Sequence, residues 1–552
     1  MFFEQPGRGC KKMVVLQIAP ETGRLSDDMG PLARYISGKS GGLGEVISAL
    51  CEGLTQNGIE CHLATLNLSR RFQRENGLND EQWSRISGTV DPDRIHLVNS
   101  AVFDDLPDAY AGDCLLTAAE FQKTVVNQII PRIRARNGGH LLIHSHDWMA
   151  GGIITAYAKR HGCPVLHTLH NVHTAQIPLE LLFGVDTAGL SDYLYRSEEW
   201  GRPALDSQAT AIKNASLVNF VGRRFLEEIV AGHFADRPII PPSVRREVEV
   251  KHQYGSTRAI LNAPALSMYP EWSDALLRRY GPEDDVVAAK RANLVEFQRR
   301  TGLTVNPEAI LLYWPSRLDP SQKGIELLEA VAPAFLAAYG DVQIALVGNG
   351  VGSDRTHEEI CGRMAYSSEG RMTYQRFDES LSMLGFAAAS DVFGASLYEP
   401  CGQIDQLGNL HGATATNRDT GGYHDKIREI TWGRAGGDPG SGNGFLFRDY
   451  DPAGLWYGLS RAVEFHRLPR DLRARQLRRI MREARQKYDP GRMIEGYIRC
   501  YEELSGKVPL REPMRVPQPL PEGYDHAIWR RLRIAARRDG PPAGIVPAWN
   551  PG

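Results

Sequence analysis

The chain contains no C-x-x-C pair, and its eight cysteines are scattered without a tight cluster. That spacing excludes a zinc ribbon and a disulfide framework, and the thiols are expected to be reduced, as in a cytoplasmic protein. Charge of one sign is also lacking. The formal net charge is −2, so nothing in it favours nucleic acid or an acidic membrane surface, and neither is expected as a partner. No run approaches the roughly 18 apolar residues that a membrane-spanning helix needs. The opening MFFEQPGRGCKKM has no apolar stretch of signal-peptide type, so no secretory leader is expected. There is no short-period repeat.

What is present is a long chain of ordinary globular composition. Its 552 residues, 42% of them apolar, exceed what one hydrophobic core organises and suit two or three domains. Short apolar, β-branched runs alternate with longer helical patterns. MVVLQIA, IECHLATL, HLLIHS, PVLHTLH and SLVNFV predict strands of the first half, apolar on both faces as in a parallel sheet covered by helices. GEVISALCEGLTQNG predicts a helix closed by Asn-Gly. After about residue 303 the rhythm restarts. AILLYWPS, DVQIALVG, RMTYQRF, DVFGAS and ATATNR predict strands; GIELLEAVAPAFLAAYG and ESLSMLGFAAAS predict helices. Two such series imply two doubly wound α/β domains. We expect residues 1–275 and 303–488, with a Pro-rich and basic tail at 505–552. GRAGGDPGSGNG, 433–444, reads as a surface excursion, and LPRDLRARQLRRIMREARQ as the solvated face of a basic helix.

Several glycine-rich turns sit at predicted strand ends. In SGKSGGLGEV the GKS suggests a phosphate loop, but the first glycine of that motif would fall on Ala33, which rules it out. A glycine-rich turn carrying Lys39 and opening a helix remains. Its backbone amides suit a phosphate. SRLDPSQKG places Arg317 and Lys323 near a helix start, where two cations suit a diphosphate. SLYEPCGQ puts Glu399 at the carboxyl end of a strand, where open α/β sheets bind ligands, and RDTGGYHD adds a glycine pair. IHSHDWMAG and HTLHNVH supply His144, His146, His167, His170 and His173. These read either as a metal hydrolase site or as satisfied strand-end histidines.

Taken in order, KSGGLGEV, HSHDWMAGG, TLHNVHTAQIP, SRLDPSQKG, SLYEPCGQ and RDTGGYHD resemble bacterial glycogen synthases and plant starch synthases. The likeness covers roughly residues 13–505. It implies retaining glucosyltransferases of the GT-B type, with two Rossmann-like domains facing a cleft and a final helix near 490–504 completing the first. By resemblance, Glu399 lies by the donor sugar and Arg317 and Lys323 grip the diphosphate. His170 stands close to the reacting sugar, and Asp147 is the aspartate of the acceptor-side domain. These five are the expected catalytic residues. Lys39, Gly41, Gly42, Cys401, Gly402, Thr420, Gly421 and Gly422 are the expected donor-binding residues. No metal and no cofactor beyond the sugar nucleotide is implied.

The implied reaction moves glucose from a nucleoside diphosphate glucose, with ADP-glucose the expected donor, to the non-reducing end of an α-1,4-glucan with retention. Stabilising the departing diphosphate is its main electrostatic demand. Three departures from the family pattern stand out. PETGRLSDDMGPLARYISG lengthens the loop before Lys39, which suggests a lid or a changed acceptor; one extra residue separates Arg317 from Lys323; and Gln403-Ile404-Asp405 follows EPCG. Ile404 offers no hydroxyl, and Asp405 repels a phosphate unless it points away. A related transferase with another acceptor and a non-catalytic glucan-binding homologue are the alternatives.

Overall fold

In the computed structural model the first strand, β1 (Val14–Ile18), is buried at all five positions. The structure describes residues 12–89, 94–199, 201–234, 237, 239–350, 355–431, 440–506, 508 and 510. The expected tail and most of the glycine-rich excursion lie outside the described residues. Ten strands fall in the first part of the chain: β1, β2 (Cys61–Leu66), β3 (Ile95–Val98), β4 (Leu141–His146), β5 (Val165–Leu169), β6 (Gln176–Pro178), β7 (Arg196–Glu199), β8 (Arg202–Asp206), β9 (Leu217–Phe220) and β10 (Thr257–Ala259). Seven form one parallel sheet in the order β10-β9-β5-β4-β1-β2-β3, and β6-β8-β7 form a small antiparallel sheet.

Six strands follow: β11 (Ile310–Pro315), β12 (Val342–Val347), β13 (Met372–Gln375), β14 (Asp391–Gly394), β15 (Thr414–Arg418) and β16 (Gly444–Phe447). They make a second parallel sheet ordered β13-β12-β11-β14-β15-β16. All the predicted strands form. The additions, β3, β6–β8, β10 and β16, are short edge or excursion strands, whose few residues carry little periodic signal.

In both sheets the winding reverses at one place, between β1 and β4 and between β11 and β14. That reversal leaves a crevice beyond the carboxyl ends of the strands, because the two connections depart to opposite sides. The helix Gly42–Gln56 follows β1 and buries Leu43, Val46, Ile47, Leu50, Cys51 and Leu54, the spacing of one helical face. Gly58 after it has φ 74°, the left-handed conformation that closes helices.

By contacts the chain divides at Leu261/Asn262 and again at Gly491/Arg492. The sequence expectation carried the first domain to 275. The segment after Asn262 instead buries Leu276 and Tyr280 in the core of the second unit, and Tyr269 packs near Tyr488. From Arg492 the last helix, Pro490–Ser505, belongs to the first unit, where its Tyr497 and Tyr501 are fully buried. The basic helix Arg470–Lys487 is not only a solvated face, since it buries Leu472, Leu477, Ile480, Met481 and Ala484. All seven described cysteines are free. No helix among the described residues is long and apolar enough to cross a membrane.

The second sheet carries the loops of interest, and its packing is tight. Phe393 on β14 is fully buried, with its ring 5.4 Å from that of Trp314 on β11. Phe393→Ala is expected to destabilise the second unit by about 3–5 kcal/mol. Urea unfolding followed by tryptophan fluorescence measures this, and a loss below roughly 1 kcal/mol would contradict the packing described.

Candidate functional site

In the second unit, four loops leave the carboxyl ends of β11, β12, β14 and β15. Lys323 and Glu399 meet there: Lys323 Nζ lies 2.6 Å from Glu399 Oε2, and both side chains are nearly buried. Ser396 Oγ donates to the same carboxylate oxygen at 2.9 Å. Burial alone would raise the Glu399 carboxyl. The charge and hydrogen bond of Lys323, with that of Ser396 and the charge of Lys426, overcome it and hold Glu399 below the usual range. The extra residue between Arg317 and Lys323 is taken up in a turn. There Gln322 and Lys323 both donate backbone amides to the Asp319 carbonyl, and Gly324 has φ 71°. Arg317 is exposed and its guanidinium makes no hydrogen bond or ion pair among the described residues.

The glycine pair has a steric cause. Gly421 has φ 46°, and a Cβ there would lie 1.9 Å from the Glu399 carbonyl oxygen. A Cβ on Gly422 would lie 1.9 Å from that of Cys401. The Gly422 amide donates to the Glu399 carbonyl at 2.9 Å. Gly402, φ 67°, makes room for the Tyr423 ring in the same way. The two loops therefore touch backbone to backbone, and Thr420, Gly421 and Gly422 stand beside Glu399, Cys401 and Gly402. Cys401 is a packing residue, because burial pushes its thiol up to about 11.

Asp405 does point away. It is fully buried and paired with Lys426, also fully buried, at 2.6 Å. Lys426 donates to the Gly402 carbonyl as well. Ile404 packs against the core of the second unit.

In the first unit, the loop after β1 and the turn after β4 flank the other crevice. Asp147 follows β4 with φ 54°, a conformation costly for any residue but glycine. Its Oδ1 accepts the backbone amides of His170 at 2.7 Å and Asn171 at 3.1 Å. Burial pushes the Asp147 carboxyl up to about 7, with those amides opposing and the charge of Glu21 adding. The turn is pinned by Gln122, which donates to the carbonyl of Met149 and accepts the Ile153 amide. Gly152, φ 42°, leaves room for the Gln122 side chain.

Lys39 pairs with Glu45 at 2.8 Å. The amides of Ser40 and Gly41, expected to meet a phosphate, here donate to Glu21 Oε2. Tyr110 donates to the other Glu21 oxygen at 3.2 Å. The lengthened loop between them is packed, with Leu25, Met29, Leu32, Ala33 and Ile36 buried. The Gly38 amide donates to the Thr22 carbonyl at 3.0 Å, joining the two ends. Gly42 is the first residue of the following helix.

Among the described residues, no group of three or more His, Cys, Asp and Glu side chains is arranged to hold a metal. His144 bonds to Tyr501 and Thr168, His146 to His170 and Gln17, and His167 to Ser145. Sequence reasoning did not single out Glu21, Gln17, Ser396 or Lys426. Only Ser396 carried a local signal, three residues before Glu399 in a turn.

Two measurements test this geometry. Lys426→Met leaves Asp405 buried without its partner and is expected to cost about 3–5 kcal/mol, while the double change Asp405→Leu with Lys426→Met recovers most of it. A double variant no more stable than Lys426→Met would oppose the pairing. For Asp147 the folded-state pKa lies above the unfolded value of 3.8. The stabilisation is thus full below about pH 4 and lost as pH rises through about 7. Compared with Asp147→Asn, the native chain should lose up to about 4 kcal/mol over that range. A pH-independent difference would refute the shift.

Residues 29–237 match the family model of the starch synthase catalytic domain. Glycogen synthase of Pseudothermotoga lettingae is 24% identical over 516 residues, 90% of this chain and 99% of that protein. Glycogen synthase of Thermus caldophilus is 28% identical over 327 residues, 58% of this chain; the aligned stretch spans 66% of that relative's length. Among solved structures, the catalytic domain of starch synthase IV from Arabidopsis thaliana, bound to ADP and acarbose, superimposes with a TM-score of 0.66 at 18% identity, over 88% of this chain and 100% of that one. Sucrose-phosphate synthase from Thermosynechococcus elongatus gives 0.53 at 17%, over 89% and 99%. The chain thus shares the two-unit GT-B fold of these structures, and over residues 29–237 it is similar to the starch synthase catalytic domain.

Proposed function

We propose that this protein transfers glucose from a nucleoside diphosphate glucose, ADP-glucose by preference, to the non-reducing end of an α-1,4-glucan with retention of configuration. The observation that carries the reading is the Lys323–Glu399 pair at the winding reversal of the second sheet, with Arg317 exposed beside β11. A diphosphate bound there meets Arg317 directly and draws Lys323 partly from Glu399. Charge that builds on the leaving oxygen is then stabilised by groups already in place.

Glu399, held ionised, faces the opposite charge that develops on the sugar carbon. Cys401, the neighbouring thiol, is protonated and packed and does not serve as a covalent nucleophile. Departure ahead of attack on the same face accounts for retention without the two-carboxylate scheme of hydrolases. In the first unit, His170 takes a sugar hydroxyl and Asp147 organises the strand-end turn on the acceptor side, with Lys39 serving the phosphates. The sugar nucleotide is the only small molecule the scheme needs. The packed insertion 22–38, next to Lys39, favours one second reading, a transferase of the same type with a different acceptor. Product analysis with glycogen against small saccharides separates the two.

Purified protein given ADP-glucose or UDP-glucose and glycogen is expected to release nucleoside diphosphate and lengthen glucan chains. Lys323→Ala and Glu399→Gln should each lower kcat by roughly 100- to 1,000-fold. Absence of diphosphate release with every sugar nucleotide tried would reject the proposal.

A further inference from the structure

We propose that Gln17 and Tyr501 are positioning residues that fix the tautomer and ring orientation of His170 through a one-way chain of buried hydrogen bonds. The inference rests on the glucosyl-transfer reading and deepens it.

Donor and acceptor rules settle the direction of the chain. Gln17 Oε1 can only accept, so His146 Nε2, 2.9 Å away, carries a hydrogen. In the neutral ring His146 Nδ1 is then an acceptor, and His170 Nε2, at 3.1 Å, is its donor. His170 is left with a lone pair on Nδ1. On the other side Gln17 Nε2 donates to the Tyr501 hydroxyl at 2.9 Å. That hydroxyl lies 2.7 Å from His144 Nδ1, and His144 Nε2 lies 2.8 Å from Thr168 Oγ1; hydroxyls both donate and accept, so the direction is set at Gln17. From His170 through His146 and Gln17 to Tyr501, every link has one donor and one acceptor.

Gln17, His144, His146, Thr168 and Tyr501 are all fully buried. Their burial keeps them from bulk solvent. Burial also keeps the rings neutral: His170 is pushed down to about 3, and His144 and His146 lie well below the usual range. Reversing the run would require turning the Gln17 amide and moving the hydrogens of His146 and His170 together. The chain thus behaves as a unit. Its far end lies on the last helix, 484 residues from Gln17, so that helix does more than cover the sheet. With Nδ1 as an acceptor, His170 suits a sugar hydroxyl and disfavours an oxyanion.

Nitrogen NMR of the full chain tests this, with the His170 signal identified among 16 histidines by its loss in His170→Asn. The native protein should show neutral His170 with its hydrogen on Nε2 alone. In Tyr501→Phe and Gln17→Met the two tautomers should mix. In both, kcat should fall about tenfold while KM for the sugar nucleotide moves less than about twofold. A hydrogen on Nδ1 in the native protein overturns the proposal. So does a single unchanged tautomer in both folded variants. If neither variant folds, the native spectrum decides alone. Native protein with the expected tautomer but no transfer from any sugar nucleotide would reject the functional reading and leave the network standing.

Discussion

The site of the second unit depends on main chain touching main chain. Gly348 lies against Ser316, Gly324 against Ala395, Gly421 against Glu399 and Gly422 against Cys401, each with no room for a Cβ. These four contacts join the loops that leave β11, β12, β14 and β15 into one floor. Side chains cannot adjust such contacts, so the positions of Lys323 and Glu399 follow from backbone geometry. A glycine replaced here forces one loop off the next, and the displacement reaches the ion pair directly.

Charge inside this floor is handled by pairing. Asp405 and Lys426 neutralise each other in the interior, and Lys323 and Glu399 do so at its edge. The two pairs look alike but serve different ends. The inner pair fixes how the loop after β14 runs, because either partner alone would be a buried charge. The outer pair stands at the winding reversal, and in the proposed reaction its lysine is shared with a phosphate. The first unit follows another rule. Its crevice is lined by neutral histidines and amides, with carboxylates that burial makes reluctant to ionise.

Much of this was legible in the sequence, for identifiable reasons. Strands buried on both faces announce themselves as unbroken apolar runs, so the central strands of both sheets could be read. The glycine pair and the residues around Glu399 could be read because a close approach demands glycine and nothing else. The short edge strands could not, since three or four residues set no period. Nor could Glu21, Gln17 or Lys426. Their partners lie far away in the chain, and no spacing rule connects Gln17 to Tyr501 or Asp405 to Lys426. The departure at Ile404 and Asp405 looked like a threat to phosphate binding only because a sequence does not say which way a side chain faces. The boundary near 275 slipped because the segment after Asn262 has apolar residues without strand or helix periodicity.

The insertion between Glu21 and Lys39 starts and finishes at nearly the same point, where Gly38 bonds to Thr22. A detour of that shape is invisible to the rest of the chain: the main path closes behind it whatever its size. Adding or removing residues there changes the entropy of closure only slowly. Selection can therefore remodel the surface beside the strand end through that one stretch while the neighbouring carboxylate and lysine stay where they are.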